Sequence, residues 1–296
     1  LPILPQASIE YVDGKDRAAA ARAAAAADVA IVFATQWSAE SVDLPDMQLP
    51  DKQDGLIDAV ASANPRTVVV LETNGPVRMP WADKVPALLQ AWYPGIRGGE
   101  AIANLLVGKV NPSGRLPVSW PVDESQLPRP HVPGLGFNPK QKPEETIDYN
   151  VEGANVGYKW FAAKGLVPRF PFGHGLSYTR FEYADLQVQV HGSEVVASVE
   201  IRNAGERAGA DVAQMYLKLP SGSQTPIRLI GFEKVMLEPG ESRRIRIEAE
   251  PLTLAGFDTG SKQWRIAGGS YQLQLGRSAS EPVLTADIQL EASSLD

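Results

Sequence analysis

The stretch DVAIVFATQWSAESVDLPDMQLPDKQDGLIDAVASANPRTVVVLE, Asp28 to Glu72, sets a helical pattern between two short apolar runs. DVAIVFAT has the length and composition of a buried strand. Pro50 and Asp51 open a helix in which Leu56, Ile57, Val60 and Ala61 recur at helical spacing. Asn64-Pro65 stops that helix, because the residue before a proline is driven out of the helical region. TVVVLE, Thr67 to Glu72, then reads as a second buried strand. Strand, helix, strand in this order implies two parallel strands joined by a crossover helix.

The same alternation continues on both sides. Asp16 to Ala27 is almost all alanine, the strongest helix former. A signal-peptide core is rejected there, because Asp16, Arg17, Arg22 and Asp28 punctuate or flank the alanines. Downstream, ALLQAW (Ala87 to Trp92) precedes a helix that Gly98-Gly99 introduces and that runs through Ile102, Leu105 and Leu106. Residues 1–127 therefore read as an α/β sandwich domain, a mostly parallel sheet with flanking helices.

Residues 128–180 lose all periodicity and are dense in proline and glycine (LPRPHVPGLGFNPKQKPEE). So long a stretch is not expected as an idle connector. The cluster Tyr158, Trp160, Phe161, Phe170, Phe172, Tyr178 favours an ordered arm over a flexible linker. From Phe181 the period changes to two. Val195, Ala197, Val199 and Ile201 share a face, as do Ala213, Met215, Leu217 and Leu219, Ile245 and Ile247, and Tyr271, Leu273 and Leu275. Asn203-Ala204-Gly205, Pro239-Gly240 and Gly268-Gly269 separate the runs. Residues 181–296 thus read as a β-sandwich of immunoglobulin or fibronectin type.

Composition narrows the partners. The 296 residues are 44% hydrophobic and 21% charged, as in a globular chain. A net charge of −7 argues against nucleic acid and anionic membranes. With no cysteine, disulfides, thiolate metal sites and a cysteine nucleophile are excluded. No apolar run approaches the roughly 20 residues that span a bilayer. The start at Leu1, without methionine or leader, reads as a processed or cleaved piece.

In an open parallel sheet ligands gather beyond the carboxyl ends of the strands. The loop after DVAIVFAT, Gln36 to Pro50, is therefore the first place to look for chemistry. It holds one Trp, one Glu and two Asp. Glycosidases use paired carboxylates and flat aromatic surfaces that stack on sugar rings, and this loop supplies Glu40 and Trp37. Taken alone, a loop Glu is as readily a solvated side chain. Asp43 and Asp46 suit turn-forming and capping roles better than catalysis. Gly98-Gly99-Glu100 lacks a phosphate-loop pattern, which favours close packing at a helix start. His131, His174 and His191 stand too far apart in sequence to suggest a metal cluster. For Trp81, Trp92, Trp120 and Trp264 core burial is the default.

The order of motifs resembles the C-terminal portion of glycoside hydrolase family 3. WSAESVDLPDMQLP is similar to the family's W-S-x-E-G-x-D-R-P-x-L-x-L-P segment. NPRTVVVLETNGPVRMPW, AWYPGIRGGEAIANLLVGKVNPSGRLPVSWP, VGYKWFAAKGLVPRFPFGHGLSYTRFEY, NAGERAGADVAQMYLKLP, LIGFEKVMLEPGESRRIRI and LAGFDTG follow in the family's order. The resemblance covers nearly the whole chain. Ser41 stands where the family has Gly, and Leu44 where Arg is common.

The resemblance implies a three-part enzyme: a (β/α)8 barrel carrying the nucleophilic Asp, an α/β sandwich domain lending the acid/base Glu, and a fibronectin type III-like domain. It puts Glu40 at the acid/base position and Trp37 beside the leaving group. The barrel, about 250 residues, and the first strand of the α/β domain are not in this chain, which by itself is expected to be inactive. The implied activity is that of a retaining exo-acting β-glucosidase. It acts on a β-glucoside or oligosaccharide with an N-terminal barrel partner, needs no metal or organic cofactor, and works in the periplasm or outside the cell. The same domains allow β-xylosidase or N-acetylglucosaminidase specificity. A non-catalytic carbohydrate-binding or scaffolding fragment is the alternative from a different class.

Overall fold

Asp16 starts the first helix by accepting hydrogen bonds from the N–H groups of Ala18 (2.9 Å) and Ala19 (3.1 Å). The structure, a computed structural model, describes residues 6–40, 44–131, 148–220, 223 and 225–295. It divides into two units, Leu1–Lys109 with Pro121–Asp148, and Val110–Trp120 with Tyr149–Asp296.

The first unit carries helices α1 (Arg17–Ala26), α2 (Gln53–Ala63) and α3 (Gly98–Leu106) and strands β1 (Ala30–Thr35), β2 (Thr67–Glu72) and β3 (Ala87–Gln90). The strands form a parallel sheet in the order β1-β2-β3, with Ala30 opposite Thr67 and Val68 opposite Ala87. α1 buries only Ala20 and Ala24, a small apolar area. Polar ties compensate: Asn64 Nδ2 donates to Ala24 O (2.8 Å) and Ala27 O (2.9 Å), while its Oδ1 accepts from Arg66 N–H (2.8 Å). The residue that stops α2 also pins the end of α1.

β1 corrects the expectation of a strand buried on both faces. Ala30, Val32 and Ala34 are buried, but Ile31 is 46% and Phe33 50% exposed. β1 ends the strand order, and only alternate residues along it are covered. In β2, Val69, Val70 and Leu71 are wholly buried.

The second unit is built from β4 (Phe181–His191), β5 (Glu194–Asn203), β6 (Gly209–Lys218), β7 (Ile227–Leu237), β8 (Ser242–Glu248), β9 (Gly256–Asp258), β10 (Gln263–Ile266), β11 (Gly269–Ser278), β12 (Glu281–Leu290) and β13 (Ser293–Leu295). Its main sheets have the orders β12-β11-β6-β7 and β4-β5-β8, and β13-β10-β9 form a small third sheet. The period-two residues meet in one core, where Val195, Val199 and Ile247 of one sheet pack with Met215, Leu217 and Leu273 of the other. Helix α4 (Tyr158–Lys164) lies in the segment leading to β4. Tyr158 lies tilted against Phe172 (4.8 Å between centroids) and edge-on to Tyr216 (6.0 Å), and its hydroxyl accepts from Leu229 N–H (2.9 Å). Gly173, at φ 83°, lies so close to Gln214 that a Cβ would stand 1.9 Å from Gln214 Oε1, so only glycine fits.

Candidate active site

The chain leaves the carboxyl end of β1 through a set of hydrogen bonds that begins at Thr35. Its N–H donates to Gln53 Oε1 (2.8 Å) and its carbonyl accepts from Gln53 Nε2 (2.8 Å). The side-chain amide of the first residue of α2 thus completes the outer edge of β1 as a neighbouring strand would. The same Nε2 donates to Pro50 O (3.0 Å), which fixes the point where the loop returns. On the inner edge Gln36 N–H donates to Glu72 O (3.1 Å), and the Tyr93 hydroxyl donates to Gln36 O (2.6 Å). Asn74 Nδ2 reaches Ser38 Oγ at 2.8 Å.

Glu40 follows at an exposed turn, and Trp37 is 66% exposed. The two residues singled out from the sequence therefore share one loop beyond a parallel strand. Ser41 and Asp43 lie outside the described residues. Leu44 and the residues after it return along a cleft of about 390 Å³. Thr35, Gln36 and Trp37 line it from the end of β1, and Leu44, Asp46 and Gln48 from the returning segment.

That segment is held from behind. Asp46 takes a turn role, its Oδ1 accepting from Gln48 N–H (2.8 Å). Met47 N–H donates to Glu124 Oε1 (3.0 Å), Met47 O accepts from Arg78 N–H (2.7 Å), and the Arg78 guanidinium pairs with Glu124. Burial pushes the Glu124 carboxyl up, but its bonds to Arg78 and Met47 outweigh that and hold it below the usual carboxylate range. Asp54, on α2, shows the opposite balance. Burial raises its carboxyl, although Trp81 Nε1 donates to it at 2.8 Å.

Backbone strain marks the return of the loop. Asp51 (φ 56°) and Lys52 (φ 59°), where the loop meets α2, occupy the left-handed region, as does Trp92 (φ 55°) beyond β3. Gln36 and Gln53 were not legible as site residues. Their signal lies in tertiary pairing, since a glutamine in a loop and another at a helix start carry no pattern of their own.

The other sequence-derived candidates fall elsewhere. Gly98 opens α3, and a Cβ there would stand 2.5 Å from Pro94 Cγ, so close packing explains the glycine. His174 is half-buried against Phe170 (5.1 Å between centroids), and burial pushes its imidazole down. Among the described residues no group of three or more His, Cys, Asp or Glu is gathered that could hold a metal ion. Trp81 and Trp120 are buried as expected. Trp92 is only half-buried, and Trp264 is 42% exposed. Trp264 belongs to the small third sheet, where Phe257 meets it edge-on at 5.4 Å.

Comparison with known proteins gives matches over both units. Residues 6–178 match the family model described as glycosyl hydrolase family 3 C-terminal domain, and residues 211–279 the fibronectin type III-like domain. Thermostable beta-glucosidase B of Acetivibrio thermocellus is 38% identical over 93% of this chain and 36% of its own length. A beta-glucosidase of Rhizobium radiobacter is 39% identical over 86% of this chain and 31% of its own length. Among solved structures, DesR, a beta-glucosidase from Streptomyces venezuelae in complex with D-glucose, superposes with a TM-score of 0.81 at 36% identity, covering 93% of this chain and 35% of that one. The beta-glucosidase of Kluyveromyces marxianus in complex with glucose gives a TM-score of 0.86 at 33% identity, covering 97% and 35%. The chain spans about a third of the length of the curated relatives it matches.

Proposed function

The chain belongs to glycosyl hydrolase family 3, and from that premise we propose that it is the part of a retaining exo-acting β-glucosidase that lends Glu40 as acid/base to an Asp nucleophile on a (β/α)8 barrel. The observation that carries this reading is Glu40 itself: a carboxylate on an exposed turn beyond the carboxyl end of β1, in one loop with the exposed ring of Trp37. A parallel sheet presents its ligand groups at that end. The relatives named as beta-glucosidases support glucose as the terminal sugar.

The chemistry divides into two steps. The barrel carboxylate attacks the anomeric carbon while the glycosidic C–O bond breaks. The electron pair goes to the leaving oxygen, which takes the proton of Glu40. In the second step the Glu40 carboxylate removes a proton from water, whose oxygen attacks the anomeric carbon and frees the nucleophile. A covalent intermediate requires the two carboxyl groups about 5–5.5 Å apart. Because Glu40 is exposed in this chain, the surface that covers it must come from the barrel. Trp37 then borders the leaving group.

The test is hydrolysis of p-nitrophenyl β-D-glucoside by the full-length enzyme, comparing Glu40 with Glu40→Ala. Loss of a general acid/base lowers turnover about 10²–10⁴-fold. Added azide, which needs no general base, should restore rate and give a β-glycosyl azide. Unchanged turnover in the variant would remove Glu40 from the mechanism.

A further inference from the structure

We propose that Asn74 is a site of spontaneous covalent modification by water, losing its side-chain amide through a cyclic imide with Gly75, and that its bond to Ser38 restrains this step. The step is independent of the role of Glu40.

Asn74 and Gly75 bend the chain just beyond β2. The Asn74 side chain is exposed, and its Nδ2 donates to Ser38 Oγ at 2.8 Å. Gly75 O accepts from Thr73 Oγ1 (2.8 Å), whereas Gly75 N–H finds no hydrogen-bond acceptor among the described residues. A paired backbone amide must break its bond before its nitrogen can react, and Gly75 is spared that cost. The surroundings are open as well, since nothing stands within 4 Å of where a Gly75 Cβ would lie.

Asparagine is a thermolabile residue, but the other seven in this chain are protected. Asn64, Asn111 and Asn138 precede proline, which has no N–H to lose. Asn104, Asn150 and Asn155 precede leucine or valine, whose side chains crowd the nitrogen. Asn203 precedes alanine but is wholly buried, its amide donating to Arg207 O (2.7 Å) and Leu237 O (3.0 Å). Ala204 N–H is in turn committed to Arg180 O (2.8 Å). Asn74 alone combines an exposed amide with an unbonded glycine nitrogen.

The atoms balance with water as the only reagent. Gly75 N gives its proton to hydroxide and attacks Asn74 Cγ. The new N–Cγ bond forms as the Cγ–Nδ2 bond breaks, and ammonia leaves with a proton from water. Water then opens either carbonyl of the five-membered imide, its hydroxyl going to carbon and its hydrogen to nitrogen. The product is aspartate, or isoaspartate when the main chain runs through the former side chain. Either product carries a carboxylate where Asn74 donated, so the loop that carries Trp37 loses that donor to Ser38.

The experiment incubates the full-length enzyme in mildly alkaline buffer and digests samples with trypsin at intervals. Cleavage after Arg66 and Arg78 releases TVVVLETNGPVR, in which Asn74 is the only side-chain amide. Expected is a gain in mass matching NH2 exchanged for OH, split between aspartyl and isoaspartyl forms, before any other asparagine changes. Gly75→Ala meets no steric obstacle and needs no left-handed backbone. It should slow the step by at least about fivefold, the factor that glycine's backbone freedom is worth. Ser38→Ala frees the Asn74 amide and should speed the step about fivefold, the weight of one hydrogen bond. An unchanged Thr67–Arg78 peptide, or equal rates in Gly75→Ala and the parent, overturns the assignment. Equal rates in Ser38→Ala and the parent overturn the restraint given to Ser38.

Discussion

β1 and β5 are both rich in valine, isoleucine and alanine, yet they meet opposite surroundings. β5 is the middle strand of its sheet and turns Val195, Ala197, Val199 and Ile201 into a core closed by the facing sheet, each of them wholly buried. β1 ends its sheet, and its two largest apolar side chains, Ile31 and Phe33, face outward. Apolar composition therefore states what a strand can bury, while its place in the sheet decides what it does bury. The candidate site lies where coverage is incomplete, since Glu40 and Trp37 follow β1, whereas the second unit encloses an ion pair, Arg115 with Asp211.

The largest effect should come from opening that pair. Asp211 is 3% exposed and Arg115 11% at their side chains, and the Tyr183 hydroxyl donates to Asp211 Oδ2 at 2.8 Å. Asp211→Ala strands a buried guanidinium, which costs about 3–5 kcal/mol. Hydrogen exchange of the amides of β5 and β6 should accelerate accordingly, while those of β2 stay unchanged. Equal acceleration in both units would show that they unfold together and would break the contrast.

The two apolar faces can then be compared directly. Leu273→Ala, at a wholly buried position, should cost about 2–5 kcal/mol. Phe33→Ser, at a half-exposed one, should shift the stability of this chain by less than about 0.5 kcal/mol. Urea unfolding of the two variants measures the difference. A cost at Phe33 comparable with that at Leu273 would mean that β1 is covered in solution.

How far the sequence carried this contrast depends on the kind of pairing involved. Helix spacing in Ile57, Val60 and Ala61 and the alternation from Val195 to Ile201 announced the elements, because those side chains bury themselves at the period of their own backbone. Glu40 and Trp37 were singled out through motif order, since nothing in a loop's spacing marks one carboxylate from another. The exposed face of β1 was missed because an unbroken apolar run reads the same whether one side or two are covered. Gln36 and Gln53 were missed because their roles depend on bonds to Glu72, Tyr93 and Thr35, which only the fold brings near. Trp264 was expected to be buried, but it lies on a three-stranded sheet too small to enclose it.

A smaller effect should appear on the open side as acid is added. Glu124 holds the cleft's returning segment through Met47 and Arg78, and its folded pKa lies below the ordinary 4.5. A depressed carboxylate stabilises the fold fully above its unfolded value, so the contribution is present above about pH 4.5 and disappears as pH falls through the lower folded value. Glu124→Gln removes that titration. Thermal melts between pH 3 and pH 6 should show the gap between the parent and the variant narrowing as acid is added. A constant gap would place the restraint of this segment elsewhere.

The smallest effect concerns the strain at the same place. Lys52 is exposed and sits at φ 59°, a conformation that costs an L-residue roughly 1–2 kcal/mol. Glycine adopts it freely but loses about 0.5–1 kcal/mol through its more flexible unfolded state. Lys52→Gly should therefore raise stability by only about 0.5–1 kcal/mol, read as a small rise in Tm. Lys52 follows Asp51, which lines the cleft, and precedes Gln53, which ties off β1. A fall in Tm instead would show that the Lys52 side chain contributes more than its left-handed backbone costs, and a gain that relief of the strain leaves Gln53 sufficient to place the loop.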